Sequence, residues 1–193
     1  MKLYLTRLTL PDRPSERRRL QSEGGYRLLS LALAELGEER SHLLLHRTAE
    51  GRPYLRYADG RAFDYDFSIS HAGCFAVCAL SEHPNSPVGV DLERIRRVSP
   101  ALWGRYLAFI PDEAVGDAYS AILRWTRYEA AYKQKGRVTP ADLAGECSVT
   151  LRPIPGYLLT VSGDEGTGEL RWVAPSRLAE ADRMEWIPPT ETE

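Results

Sequence analysis

Two carboxylates, Asp91 and Glu93, stand two residues apart in a stretch that reads as a β-strand. Strand side chains alternate, so Gly89, Asp91 and Glu93 point to one face while Val88, Val90 and Leu92 point to the other. Neighbouring carboxylates repel unless a cation, a proton or hydrogen bonds compensate. A hard divalent ion such as magnesium answers that need, and substrate phosphates can supply its remaining oxygens. Surface strands also carry such pairs with no function, so the pair counts only with the rest of the chain. Farther on, Glu129 and Lys133 are four residues apart, which on a helix puts them on one face. Their plain reading is a surface ion pair. Upstream, Ser68, Ser70 and His71 are polar where a core strand would be apolar, although a single histidine is more often a satisfied structural group.

These residues need elements to hold them. Residues 67–93 form the organising stretch, with Phe67, Ile69 and His71 on one face of a strand. Phe75 to Leu80 is nearly continuous apolar sequence and reads as a core strand, and Pro84 to Pro87 mark the connection to the acidic strand. Before this stretch, residues 2–9 alternate as a strand and residues 15–36 have helical spacing. Gly24-Gly25 is expected to divide that helix in two, and Gly37 to stop it. Arg27 sits near the start of the second piece, where free backbone N–H groups favour anions. Glu16, Arg17, Arg18 and Arg19 read equally as solvated surface or as a contact for phosphate or an acidic partner. Residues 42–47 and 54–57 read as short strands around the Gly51-Arg52-Pro53 turn.

After the acidic strand, Arg94, Arg96 and Arg97 are either solvated surface or part of an anion site. Ser99-Pro100 starts a helix with Trp103, Tyr106 and Leu107 on its apolar side, Pro111 breaks it, and Asp112-Glu113 opens a short piece. A longer helix begins near Asp117 or Ser120, with Ile122, Trp125 and Tyr132 at helical spacing, and ends at Gly136. Residues 147–151, 157–161 and 169–173 read as antiparallel strands. The terminal segment is acidic, and Pro188-Pro189 signals fraying. The pattern predicts an α+β fold of two pseudo-symmetric halves, 1–97 and 98–187, each a small antiparallel sheet packed with a long helix. The site lies at their seam, and 188–193 form a disordered tail.

A chain of 193 residues can bury a sizeable core. Its net charge of −2 supplies no global basic field, which argues against nucleic acid as the principal partner. The 3 cysteines, Cys74, Cys78 and Cys147, are expected to be reduced and buried, the first two in the apolar strand. The N-terminus lacks a signal peptide's apolar block, and no apolar run approaches the roughly 20 residues that span a bilayer. A soluble cytoplasmic protein with no membrane partner is the expectation.

Three segments together carry a resemblance. Phe67-Ser68-Ile69-Ser70-His71-Ala72-Gly73, then Gly89-Val90-Asp91-Leu92-Glu93, then Trp125-Thr126-Arg127-Tyr128-Glu129-Ala130-Ala131-Tyr132-Lys133 resemble the 4′-phosphopantetheinyl transferase superfamily, in its larger, monomeric, pseudo-dimeric class. The resemblance implies magnesium-dependent transfer of the phosphopantetheine arm of coenzyme A to a serine of an apo acyl, peptidyl or aryl carrier protein, with release of 3′,5′-ADP. It implies Asp91, Glu93 and Glu129 as magnesium ligands and Glu129 as general base. Lys133 is implied as a phosphate-binding lysine, and Arg27, Arg52 and His71 as contacts for the coenzyme's 3′-phosphate, with Ser70 as a further hydroxyl donor. Three departures stand out. Tyr128 replaces a lysine, so phosphate affinity falls or Arg127 substitutes. The amino-terminal region is trimmed, so some basic contacts are either missing or supplied by Arg17, Arg18 and Arg19, and Ala72 replaces a serine. The alternatives are a non-catalytic relative that binds coenzyme A or a carrier protein, and an unrelated magnesium-dependent phosphohydrolase that uses water.

Overall fold

The computed structural model describes residues 1–98, 117–163, 168–182 and 184. The helix expected after Ser99-Pro100, its break at Pro111, the piece opening at Asp112-Glu113 and the Pro188-Pro189 tail lie outside the described residues. The fold is mixed α/β, with several small sheets and helices.

Strands β1 (Lys2–Arg7), β4 (Phe67–Ala72), β5 (Phe75–Leu80) and β9 (Leu170–Val173) form one sheet in the order β4-β5-β1-β9. Strands β2 (Leu43–Arg47) and β3 (Pro53–Tyr57) form a hairpin. The acidic strand β6 (Val88–Arg94) joins β8 (Tyr157–Gly163) and β7 (Ser148–Leu151) in a third sheet, ordered β6-β8-β7. β9 departs from the expected antiparallel set. It pairs in parallel with β1, Leu3 opposite Leu170, and so belongs to the first sheet. A short polar-apolar alternation does not specify which edge a strand joins.

Alternation places the two cores. Tyr4, Phe67, Cys78 and Leu80 face helix α1 (Pro14–Leu36), where they pack on Leu28, Leu29 and Leu33. Leu3, Leu5, Val77 and Ala79 face the other way and pack on Val88, Val90, Leu92, Leu159 and Val161 of the third sheet. The carboxylate-bearing face of β6 is thereby left for helix α2 (Ala118–Lys135).

α1 is continuous through Gly24-Gly25, against the expected division. A Cβ on Gly24 would stand 2.7 Å from Leu8 Cδ2, and one on Gly25 3.3 Å from Ile69. These glycines let the helix approach the sheet closely, and tertiary packing outweighs their low propensity. The helix does stop at Gly37, whose φ of 87° suits glycine. α2 begins where Asp117 Oδ1 accepts the N–H groups of Tyr119 and Ser120, and ends at Gly136 with φ 70°. A short 3-10 turn (Arg40–His42) and helices α3 (Pro140–Ala144) and α4 (Pro175–Glu180) complete the described elements.

The three cysteines are free, as expected, but Cys74 lies half-buried in the turn before β5 and Cys147 is exposed, so only Cys78 is a core residue. Among the described residues no helix is long and apolar enough to cross a membrane.

Candidate functional site

The outward edge of β6 lies against the face of β4 that carries the serines. Three successive edge N–H groups are each taken by a side-chain oxygen. Val88 donates to Asp66 Oδ2 at 2.8 Å, Val90 to Ser68 Oγ at 3.0 Å, and Leu92 to Ser70 Oγ at 3.2 Å. Alternation explains the match, since residues 66, 68, 70 and residues 88, 90, 92 both advance two at a time. A strand edge with unpaired N–H groups buried at such a seam would cost stability, and these oxygens remove that cost. The polar character of residues 66–70 therefore has a structural origin that sequence reading did not assign.

The seam also fixes Asp91. Its side chain points toward α2 and the residue is only 5% exposed. Oδ1 accepts from Ser70 Oγ at 2.9 Å and from Lys133 Nζ at 2.7 Å. Lys133 Nζ also donates to the Val90 carbonyl at 3.1 Å. Oδ2 is buried and takes no hydrogen bond among the described residues.

α2 can sit this close because residue 89 is glycine. A Cβ there would stand 1.9 Å from the Ala130 carbonyl oxygen. Further polar contacts hold the helix on the sheet. Thr160 Oγ1 donates to Thr126 Oγ1 at 2.7 Å, and Ser162 Oγ donates to Gln134 Oε1 at 2.6 Å.

Glu93 and Glu129 feel Asp91 and each other. Burial, then repulsion from Asp91, pushes the Glu93 carboxyl above its ordinary range, against the pull of Arg96 and a hydrogen bond with Trp125. Burial and the same repulsion push Glu129 up, with Glu93 adding to it and Lys133 opposing. Trp125 thus does more than fill an apolar helix position. Among the described residues, no three His, Cys, Asp or Glu side chains are gathered as a ready-made metal site. The donor chemistry still fits magnesium, which takes one or two carboxylates and completes its shell with water and phosphate. The orphaned Asp91 Oδ2 and the mutually repelling Glu93 and Glu129 are the oxygens such an ion would relieve.

Beside these carboxylates a cleft of about 530 Å³ opens between the β2–β3 hairpin and the end of α2. Arg52, Pro53, Ser68, Ile69, Tyr132 and Lys133 help line it. Arg52 donates to Asp66 Oδ2 at 2.5 Å and to the Gln134 carbonyl at 3.1 Å, tying the hairpin to α2. His71 lies at the solvent-facing end of β4, and partial desolvation and the Lys133 charge push its imidazole below the ordinary range. Ser70 and Lys133 are thus linked through Asp91 Oδ1, Arg52 shares the cleft wall with Lys133, and His71 feels the charges of Lys133 and Asp91. Arg27 is not part of that linkage. Its guanidinium donates to the carbonyls of Leu178, Ala179 and Ala181 at the end of α4, and to Glu23. Arg127 likewise donates to the Leu143 and Ala144 carbonyls at the end of α3, which engages it away from the role of a substitute phosphate contact. Tyr128 stacks between Trp125 and Tyr132, with ring centroids 5.9 and 6.3 Å apart.

No protein-family profile matches the chain. Over 57 residues it is 37% identical to a 4′-phosphopantetheinyl transferase of Aneurinibacillus migulanus. The chain resembles that superfamily. The match covers 30% of this chain and about a fifth of the relative's length, so it carries the resemblance and not the relative's activity.

Proposed function

We propose that the protein transfers the 4′-phosphopantetheine arm of coenzyme A to a serine of an apo acyl, peptidyl or aryl carrier protein, as a magnesium-dependent cytoplasmic monomer. The observation that carries the reading is the buried Asp91 carboxylate, held by Lys133 and raising the proton affinity of the half-buried Glu93 and Glu129, beside a cleft whose wall includes Lys133 and Arg52. In this reading the chain has two pseudo-symmetric halves, 1–97 and 98–187, each of which lends a strand to the other's sheet, β6 to the third sheet and β9 to the first, and the cleft belongs to their seam.

Asp91, Glu93 and Glu129 would hold the magnesium ion, which when bound neutralises pyrophosphate charge and polarises the transferred phosphoryl group. Glu129 takes the proton of the carrier's serine hydroxyl. Burial suits it to that work, because it raises the proton affinity of the carboxylate. The serine oxygen forms a bond to the phosphorus that bears the pantetheine arm, the pyrophosphate P–O bond breaks, and 3′,5′-ADP leaves with the bonding electrons. Lys133 compensates phosphate charge from the cleft wall. Arg52 and His71 are the contacts for the 3′-phosphate, and Arg27 joins them only if it exchanges its carbonyl partners.

The test pairs chelation with substitution. Removing magnesium abolishes transfer and leaves the circular dichroism spectrum in place, because two apolar cores hold the chain without metal. Full transfer by Asp91→Ala at ordinary magnesium concentration would reject the site. Coenzyme A binding without transfer in the wild type would favour the non-catalytic reading.

A further inference from the structure

Ser70 was expected to lend its hydroxyl to the coenzyme's phosphate. Its geometry assigns the hydroxyl elsewhere. Ser70 is 9% exposed, its Oγ accepts the Leu92 N–H, and its proton goes to Asp91 Oδ1 at 2.9 Å. A hydroxyl has one proton to donate, and this one is spent. Lys133 takes the same Oδ1 from the helix side. With Oδ1 held from two directions, the carboxylate cannot turn freely, and the unpartnered, buried Oδ2 is the oxygen left to meet a ligand.

We propose that Ser70 is a positioning residue for the metal. It holds Asp91 through Oδ1 so that Oδ2 is presented to the ion, and it makes no contact with coenzyme A. The proposal rests on the magnesium reading of the preceding subsection. It also accounts for a difference between the two seam serines. Ser68 and Ser70 do the same work for the edge of β6, each accepting one N–H, but it is Ser70 that donates to Asp91.

That difference supplies the control. Ser68→Ala and Ser70→Ala each leave one buried N–H unpaired, so both are expected to lower thermal stability, Ser70→Ala the more because Asp91 also loses its hydroxyl donor. Only Ser70→Ala should loosen Asp91. Outer groups that orient a metal ligand typically change metal affinity by about 10- to 100-fold. Magnesium titrated calorimetrically into the coenzyme A-saturated protein should therefore bind at least about tenfold more weakly to Ser70→Ala than to Ser68→Ala. Ser70→Cys keeps the side chain's shape with a weaker donor, so it should fold and should also bind magnesium more weakly than wild type. Affinities for coenzyme A and for dephospho-coenzyme A should fall together or not at all in Ser70→Ala.

Unchanged magnesium affinity in both Ser70 variants would overturn the assignment of Ser70 alone. A selective loss of coenzyme A binding, with dephospho-coenzyme A unaffected, would also overturn it, by returning Ser70 to the 3′-phosphate. Absence of any magnesium binding by the wild type would overturn the parent reading and this assignment with it.

Discussion

Replacing Gly89 with alanine puts a methyl carbon where the backbone of α2 already lies. The new Cβ would stand 1.9 Å from the Ala130 carbonyl oxygen and 2.7 Å from the Gln134 nitrogen, whereas Cβ contacts closer than 3.0 Å are essentially not found. Both obstacles are helix backbone, so no side chain can swing aside. The helix must withdraw by about 1 Å, the gap between the contact present and the shortest one tolerated. Overpacking of this kind costs typically about 1–3 kcal/mol, or roughly 2–12 °C in melting temperature for a chain of this size. Gly24→Ala is the contrast. Its Cβ also meets an atom at 2.7 Å, but that atom is the tip of the half-buried Leu8 side chain, and the helix gains propensity. Gly24→Ala should melt within about 2 °C of wild type or above it. The withdrawn helix carries Glu129 and Lys133, so Gly89→Ala should also lose transfer by about 100-fold, the usual penalty for a 1 Å misplacement. Thermal unfolding followed by circular dichroism, with single-turnover transfer on the same samples, reads both. A Gly89→Ala protein as stable as wild type, or a Gly24→Ala protein that loses more than Gly89→Ala, would refute the packing argument.

Further outcomes follow from the same geometry. Glu129→Gln should abolish transfer yet melt higher than wild type at neutral pH. Burial and Asp91 raise this carboxyl above its ordinary 4.5, so the folded state holds its proton more tightly than the unfolded chain. The stabilisation this gives is complete below the ordinary value and is lost as pH rises through the raised one, so the advantage of glutamine should shrink toward zero on acidification to about pH 4, as thermal melts across pH would record. Arg27→Ala should lower stability by uncapping α4 and leave coenzyme A binding in place, whereas His71→Ala should mainly weaken that binding and Arg52→Ala should weaken it as well as release the hairpin from α2; equal losses of coenzyme affinity in all three, measured by calorimetry, would put Arg27 in the site after all. Tyr128→Lys removes two ring pairs worth about 0.5–1.5 kcal/mol each, so it should lower the melting temperature even if coenzyme A binds better; an unchanged melt would show that the stack contributes nothing.

The parts of this site legible in the sequence are those governed by short periods. Alternation put Asp91 and Glu93 on one face of β6 and Val88, Val90 and Leu92 on the other, and the third sheet is built that way. Helical spacing put Glu129 and Lys133 on one face of α2, although Lys133 bonds Asp91 across the seam. What escaped is set by distant partners. The role of Asp66, Ser68 and Ser70 depends on β6 lying beside β4, a pairing of side chains with backbone that leaves no periodic trace in either segment alone. Gly24 and Gly25 look like a break because propensity speaks against them, and only the approach of Leu8 and Ile69 explains their place. Arg27 looked like an anion contact at a helix start. No local pattern shows that α4, about 150 residues later, ends on its guanidinium.

The central claim is transfer of an arm to a protein serine. Purified protein, coenzyme A and magnesium are incubated with a panel of apo acyl, peptidyl and aryl carrier proteins, and the intact carriers are weighed by mass spectrometry. The account predicts that at least one carrier gains a single phosphopantetheine on serine, that 3′,5′-ADP appears in equal amount, and that neither happens with Asp91→Ala or after chelation. Carriers that stay apo while a nucleotide product is released would contradict it, as would a carrier modified equally well without magnesium.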